Sequence, residues 1–424
     1  MLYKIAKPLA HIAFSIYFRK IFFSNVQNIP AGKPVILALN HPTAFVEPCI
    51  VASFQDRPLN FLARGDFFAN SFLAKVLAGY HIIPIYRIQD GGYGKLKANF
   101  ESFKECYQAF DENKVVLIMA EGGAEHEKRL RPLKKGTARL AFGALDHQPD
   151  LDLYIVPVGV NYTKSEKMGH IAMLNFASPI RMQDYRKTHE ENSAKAIREV
   201  TRELKEKLSD NVIQIEKGEE DWVDFLLEIH RNEWENAHLK EKKNSSKLLE
   251  SEAGLAKKIR ELSLENKENL KTQTLDYQLF LDKNNVQDAG FTFEKMDTLF
   301  NGVRTFLMFP IALIGFVLNC LPMWLAAKTA KMLIPNDLTF ETPVKITLSI
   351  AFYAIQFTVF LIVGLATGNY LWLTFLFLIP FSGLFYLKSQ RYLNLFWERR
   401  KVKNLAPPIL KNLQKKRNEL LLKS

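Results

Sequence analysis

The sequence predicts an α/β domain followed by a helical, membrane-embedded C-terminal half, and three observations predict it. Short apolar runs that each end in polar or glycine-rich residues recur through the first half, as strands of an open sheet do where they enter their loops. Two long stretches lack any charged residue, Thr305 to Ala327 and Ile346 to Leu387. Between the halves glycine and proline are nearly absent and charge is dense, the composition of solvated helices. With 424 residues, 48% of them hydrophobic and 12% aromatic, the chain exceeds one ordinary domain and is rich in apolar side chains for a soluble one.

The first element, residues 1–24, surrounds the apolar core Ile12-Ala13-Phe14-Ser15-Ile16-Tyr17-Phe18 with Lys4, Lys7, Arg19 and Lys20. That core is too short to cross a bilayer. Arg19-Lys20-Ile21-Phe22-Phe23 is no small-residue cleavage site, which argues against a signal peptide. We read an interfacial amphipathic helix here, with a plain core helix as the alternative.

Next, Pro34-Val35-Ile36-Leu37-Ala38-Leu39 reads as a buried strand, and a helix can start from Thr43 onward. His41 and Glu47 therefore fall on a strand-to-helix turn, where open α/β sheets place their chemistry. An imidazole steadied by a carboxylate is a proton-abstracting device. The bland alternative is a surface turn with a satisfied histidine. Three further runs follow: Gly79-Tyr80-His81-Ile82-Ile83-Pro84-Ile85-Tyr86-Arg87, Val115-Val116-Leu117-Ile118-Met119-Ala120-Glu121-Gly122-Gly123, and Tyr154-Ile155-Val156-Pro157-Val158-Gly159-Val160-Asn161-Tyr162. Leu130-Arg131-Pro132-Leu133-Lys134-Lys135-Gly136 lies between the last two. His81, inside an apolar run, reads as a structural histidine, and His126 is a secondary candidate in the loop after Gly123.

These four blocks, in this order, resemble the glycerophospholipid acyltransferase family, membrane-associated enzymes that acylate glycerol-3-phosphate or lysophosphatidate. The resemblance covers about half the chain, roughly residues 1 to 215. In that family a histidine and an acid form the first block, a strand ending in arginine the second, a Pro-Glu-Gly turn the third and a Val-Pro-Val strand the fourth. Five residues separate His41 from Glu47, as in the branch whose block reads Asn-His-Pro-Asn-Ser-Phe-Leu-Asp. Ala120 stands where proline is usual, and Gly123-Ala124-Glu125 replaces the usual Thr-Arg-Ser. The resemblance implies a central mixed sheet flanked by helices and an acyl donor that is acyl-CoA or acyl carrier protein, with no other cofactor.

The chemistry is consistent with that expectation. A glycerol hydroxyl is a poor nucleophile at neutral pH and needs a base within hydrogen-bond reach, the role we assign to His41. Glu47 is the candidate to hold the correct tautomer. A phosphate-bearing acceptor needs fixed positive charge, for which Arg87 is the first candidate and Lys134, near a helix start, the second. Glu121 is a candidate acceptor for glycerol hydroxyls, and Gly122 a position that lets the backbone approach a ligand. For each of these a solvated surface residue is the alternative.

After this domain, expected over 25–212, Ala196, Ile197, Val200, Leu204 and Leu208 fall at helical spacing and close it. Residues 213–300 form a charged helical linker with a narrow apolar stripe at Leu255, Ile259 and Leu262. Membrane helices follow over 301–390, and a basic tail over 391–424. The second uncharged run, broken by Thr367-Gly368-Asn369-Tyr370, reads as a helical hairpin that crosses twice. The tail's lysines and arginines favour the cytoplasmic side. With the catalytic half also cytoplasmic, an even number of crossings leaves Thr305–Ala327, which contains Pro310, Asn319 and Pro322, as a re-entrant or interfacial segment.

No metal-ligand spacing occurs, and Cys49, Cys106 and Cys320 are too few for a disulfide framework. The net charge of +12 is accounted for by anionic lipid rather than nucleic acid, since no nucleic-acid motif is present. The predicted reaction moves a fatty acyl group to a hydroxyl of glycerol-3-phosphate or its 1-acyl derivative. Two rivals stand beside it: an acyltransferase for another acceptor such as an amino lipid, and a non-catalytic membrane scaffold that keeps the fold.

Overall fold

Val35-Ile36-Leu37-Ala38-Leu39 is fully buried at every position, which only a strand covered on both faces and flanked on both sides achieves. The computed structural model, which describes residues 2–86, 99–237, 245–292 and 299–423, puts this strand near the centre of an eight-stranded sheet. In chain order the strands are β1 (Lys20–Ser24), β2 (Val35–Leu39), β3 (Leu59–Arg64), β4 (Ile82–Ile85), β5 (Val115–Met119), β6 (Tyr154–Tyr162), β7 (Ile171–Phe176) and β8 (Ile180–Arg181). Their spatial order is β1-β7-β6-β2-β5-β3-β4, with β8 added beside β6. The pairs β1/β7, β2/β6, β2/β5, β3/β5 and β3/β4 are parallel, while β6 runs antiparallel to β7 and β8. The expected mixed sheet flanked by helices is the observed one.

Its helices are α1 (Leu2–Tyr17), α2 (Val46–Phe54), α3 (Ser71–Gly79), α4 (Asn99–Asp111), α5 (Gly136–His147) and α6 (Ser193–Ser209). Asn192 caps α6 by accepting from the Lys195 N–H at 3.0 Å, and Ala196, Val200, Leu204 and Leu208 form its buried face, as their spacing predicts. That face joins the core made by β2, β5 and α5. Two details differ from the sequence reading. The helix expected over 1–24 stops at Tyr17, and Lys20–Ser24 pairs with β7 because its backbone groups find a partner there. His81 precedes β4 at φ +61° and stacks on Tyr3 at 4.9 Å instead of sitting inside a strand.

Two units divide the chain. The first is Met1–Gln214 together with Leu338–Pro343; the second is Ile215–Asp337 with Val344–Ser424. In the second, α7 (Glu220–Ala237), α8 (Ser245–Glu261) and α9 (Leu264–Lys283) pack with the terminal helix α13 (Pro407–Lys423). The linker is thus not merely a set of solvated helices, since Trp222, Leu226, Leu227, Leu255, Ile259 and Leu281 are buried in it. Its interior also holds charge. Asp288 accepts from Tyr277 Oη at 2.8 Å, Arg417 Nε at 2.8 Å and Asn232 Nδ2 at 3.0 Å, while Arg417 Nη1 reaches Glu233 at 3.1 Å.

Among the described residues three helices are long and apolar enough to cross a membrane: α10 (Leu299–Leu333), α11 (Leu338–Thr367) and α12 (Leu371–Lys403), the apolar stretch of α10 running from Leu307 to Leu333. α10 continues through Pro310 and Pro322, so the segment expected to be re-entrant or interfacial is helical throughout, with an apolar stretch of 27 residues beside arms of 30 and 33. Gly315 packs directly on the Ser382 carbonyl, and Asn319 donates to the Ile379 carbonyl at 3.3 Å, which joins α10 to α12.

Because Arg417 and Asp288 are both almost fully buried, removing one strands the other's charge. Arg417→Ala is expected to destabilise the second unit by about 3–5 kcal/mol. Lys416→Ala, whose bond to Asp276 is partly exposed, is expected to cost under about 1 kcal/mol. Thermal unfolding of the two variants checks the difference.

Candidate active site

The site is built where β2 and β5 end side by side. Leu39 pairs with Met119, and the Ala120 N–H donates to the Leu39 carbonyl at 2.8 Å, so Asn40-His41 and Glu121-Gly122 leave the same sheet edge together. On the other flank Asn40 prolongs the ladder with its side chain. Its Nδ2 donates to the Val160 carbonyl at 2.9 Å and its Oδ1 accepts the Val160 N–H at 2.7 Å. This amide fork fixes the backbone one residue before His41.

The chain then reverses within four residues. Phe45, which precedes α2, takes φ +65°, a left-handed conformation that a bulky residue adopts at a cost of about 1–3 kcal/mol. The reversal brings Glu47, in the first turn of α2, back to His41. His41 Nδ1 and Glu47 Oε2 lie 3.3 Å apart, off the axis of an ideal hydrogen bond, and neither atom has another hydrogen-bond partner among the described residues. The other carboxylate oxygen accepts from the Thr43 N–H at 2.7 Å and from Thr43 Oγ1 at 2.8 Å, which fixes the orientation of the fully buried Glu47. Nδ1 is buried against the carboxylate while the His41 side chain keeps 14% exposure, so Nε2 is the nitrogen left for a substrate. Burial, with Glu47 nearby, pushes the Tyr162 hydroxyl well above its usual range, so it stays a neutral donor beside Thr43 and Glu47.

Glu121 behaves differently from the sequence reading. Its Oε2 accepts the His41 backbone N–H at 2.9 Å and Arg131 Nη2 at 2.8 Å, and its Oε1 accepts the Arg131 N–H at 2.7 Å. Both oxygens are engaged and the side chain is buried, so it brackets His41 to Arg131 and has little left for a glycerol hydroxyl. Arg131 also donates to the Gly123 carbonyl and pairs with Glu125 at 3.3 Å. Gly122 has φ +73°, and a Cβ there would meet the Lys134 stem at 2.9 Å, so the space its hydrogen leaves is filled by Lys134. Lys134 itself is exposed, and its N–H donates to the Ala120 carbonyl at 2.8 Å. Arg87 lies outside the described residues. His126 sits 3.4 Å from Ser165 Oγ and 3.8 Å from Glu166, in the loop that follows Gly123.

The structure therefore gathers His41, Glu47, Glu121, Gly122 and Lys134 in one place. It adds Asn40, Thr43 and Arg131, which the sequence reading did not single out. Asn40 preceding His41 at a strand end was the available signal for one of them; nothing in the spacing marked Arg131. Among the described residues no three His, Cys, Asp or Glu side chains group as metal ligands.

Residues 20–161 match the family model described as Acyltransferase. Over that stretch the chain is similar to the acyltransferase family. Glycerol-3-phosphate O-acyltransferase 1 of Saccharomyces cerevisiae is 35% identical over 78 residues, 18% of this chain and 10% of that protein. Glycerol-3-phosphate O-acyltransferase 2 of the same yeast is 27% identical over 117 residues, 26% of this chain and 16% of that protein. This chain thus matches only a small part of each yeast protein's length. The crystal structure of the 1-acyl-sn-glycerophosphate (LPA) acyltransferase of Thermotoga maritima overlaps 48% of this chain and 78% of its own, at 14% identity and a TM-score of 0.35.

Arg131→Ala leaves the buried Glu121 carboxylate without its cation, and is expected to cost about 3–5 kcal/mol of stability. Arg129→Ala, a few residues away on a more exposed pair with Glu127, is the control and is expected to cost under about 1 kcal/mol. Denaturant unfolding of the two variants measures both.

Proposed function

We propose that this protein transfers a fatty acyl group from a thioester, acyl-CoA or acyl carrier protein, to a hydroxyl of glycerol-3-phosphate or 1-acylglycerol-3-phosphate. The observation that carries this reading is the His41–Glu47 pair at the sheet edge, with Nδ1 turned to the carboxylate and Nε2 left for substrate. Nε2 takes the proton of the acceptor hydroxyl as its oxygen attacks the thioester carbonyl. The tetrahedral intermediate collapses with loss of the thiolate, which recovers the proton from the imidazolium. Glu47 orients the ring and stabilises its charged form, as the acid does in a serine-histidine-aspartate triad, but no protein nucleophile takes part.

The acceptor is supported by the named activity of the two yeast relatives and by a cation at the site. Arg131 is committed to Glu121 and Glu125, while the exposed Lys134 is suited to a phosphate; Arg87 is retained as a candidate from the sequence alone. A membrane location agrees with the three long apolar helices and with α1, where Leu2, Ile5, Leu9 and Ile12 form one exposed apolar stripe. In this reading the catalytic domain works at the cytoplasmic face, where thioester donors are made.

Membranes carrying the full chain, given radiolabelled acyl-CoA or acyl carrier protein and a panel of acceptors, test the reading, with products identified by mass spectrometry. His41→Ala is expected to abolish transfer. Glu47→Gln is expected to lower kcat about 10²–10⁴-fold, because an amide cannot hold the ring as a carboxylate does. Wild-type activity in His41→Ala would exclude the mechanism, and transfer only to amino lipids would exclude the acceptor.

A further inference from the structure

The first turn of α11, nearly three hundred residues after His41, belongs to the catalytic unit rather than to the unit that holds the rest of that helix. It touches the His41 loop directly. The Thr339 carbonyl accepts the Ala44 N–H at 3.0 Å, and the Phe340 ring stands edge-on to Phe45 at 6.3 Å, on a ring that Phe67 contacts at 5.5 Å. Phe45 is the residue held in the left-handed conformation, and Ala44 is its neighbour. The contacts thus fall on the two residues whose conformation brings Glu47 back to His41.

The same turn is fastened from behind. Thr342, fully buried, donates its hydroxyl to the Ser165 carbonyl at 2.7 Å. The Tyr17 hydroxyl lies 3.0 Å from that carbonyl and 3.2 Å from Thr342 Oγ1, which closes a triangle between α1, the loop after β6 and α11. Burial raises the Tyr17 hydroxyl well above its usual range, so the triangle stays intact across physiological pH.

We propose that Thr342, with Tyr17 and Phe340, is a positioning residue for the His41–Glu47 pair: the first turn of α11 holds the strained Phe45 reversal closed, and the pair depends on it. A left-handed phenylalanine relaxes unless its surroundings over-determine it. Here Thr339 and Phe340 supply the restraint, and the Thr342–Tyr17–Ser165 triangle anchors them. Thr342 touches neither His41 nor Glu47, and its effect on chemistry passes through Ala44 and Phe45. The proposal rests on His41 being the base.

The test uses the full chain in membranes with two readouts: kcat and KM for acyl transfer, and the pH profile of diethyl pyrocarbonate labelling at His41, read by peptide mass spectrometry. Thr342→Val removes the hydroxyl with little change in shape. It is expected to lower kcat about tenfold to a hundredfold, the range a displaced catalytic group produces. KM for the thioester should stay within about twofold, since a loss confined to kcat marks an interaction made at the chemical step. The midpoint of the labelling profile should move in the same direction as in Glu47→Gln. Thr342→Ser should restore both readouts. If Thr342→Val does not accumulate, Phe340→Leu carries the same test with the same expected results. A wild-type kcat and labelling midpoint in the variant, with only less folded protein, would overturn the proposal. His41→Ala run alongside separates the two failures, because an active His41→Ala removes the base itself whereas an inert His41→Ala beside an unaffected Thr342→Val removes only the positioning role.

Discussion

Everything at this site depends on one contact, the 3.3 Å approach of His41 Nδ1 to Glu47 Oε2. The two residues are separated by five others, and a regular helix or strand would not bring their functional atoms face to face. They meet because Asn40 pins the end of β2 to Val160, the chain folds back through a left-handed Phe45, and Thr43 donates twice to the Glu47 carboxylate. Asn40, Thr43 and Glu47 are buried, which keeps water from competing for the carboxylate, while Phe45 stays partly exposed.

Around the pair the charged groups divide by task. Glu121 and Arg131 hold backbone: one carboxylate oxygen receives the His41 N–H and the guanidinium, the other the Arg131 N–H. A buried ion pair of this kind is costly to break, so it fixes the loop more than it recruits a ligand. Lys134 is exposed, and its stem fills the space over Gly122. This division explains how a third block that lacks the usual proline and Thr-Arg-Ser still presents a formed loop.

Much of this was legible in the sequence, and the rest was hidden for physical reasons. The fully buried run at β2 followed by a histidine and an acid gave the sheet edge and the pair, because a strand covered on both faces has a continuous apolar signature. β6 and the helix closed by Ala196, Val200, Leu204 and Leu208 were legible on the same grounds. β1 was read as helix because its apolar residues continue those of α1, and only pairing with β7, far away in sequence, makes it a strand. β3 mixes Asn60 and Arg64 with apolar residues in a half-buried position and gives no clean period. Arg131 lies ten residues beyond Glu121 in an irregular loop, where no spacing rule operates. The left-handed Phe45 contradicts the preference of its residue type, and the contribution of Thr339 to Thr342 comes from a segment far away in sequence, just ahead of the uncharged run that begins at Ile346.

The central claim is that a carboxylate holds the His41 imidazole with its proton on Nδ1 and its lone pair on Nε2. The direct measurement is nitrogen NMR of the full chain labelled with ¹⁵N-histidine, in detergent above the histidine titration range, with His41 assigned by substitution. The account predicts a protonated Nδ1 and an unprotonated Nε2 at His41 in the wild type, with that preference lost in Glu47→Gln. A proton resident on Nε2, or a tautomer mixture indifferent to Glu47, would contradict it.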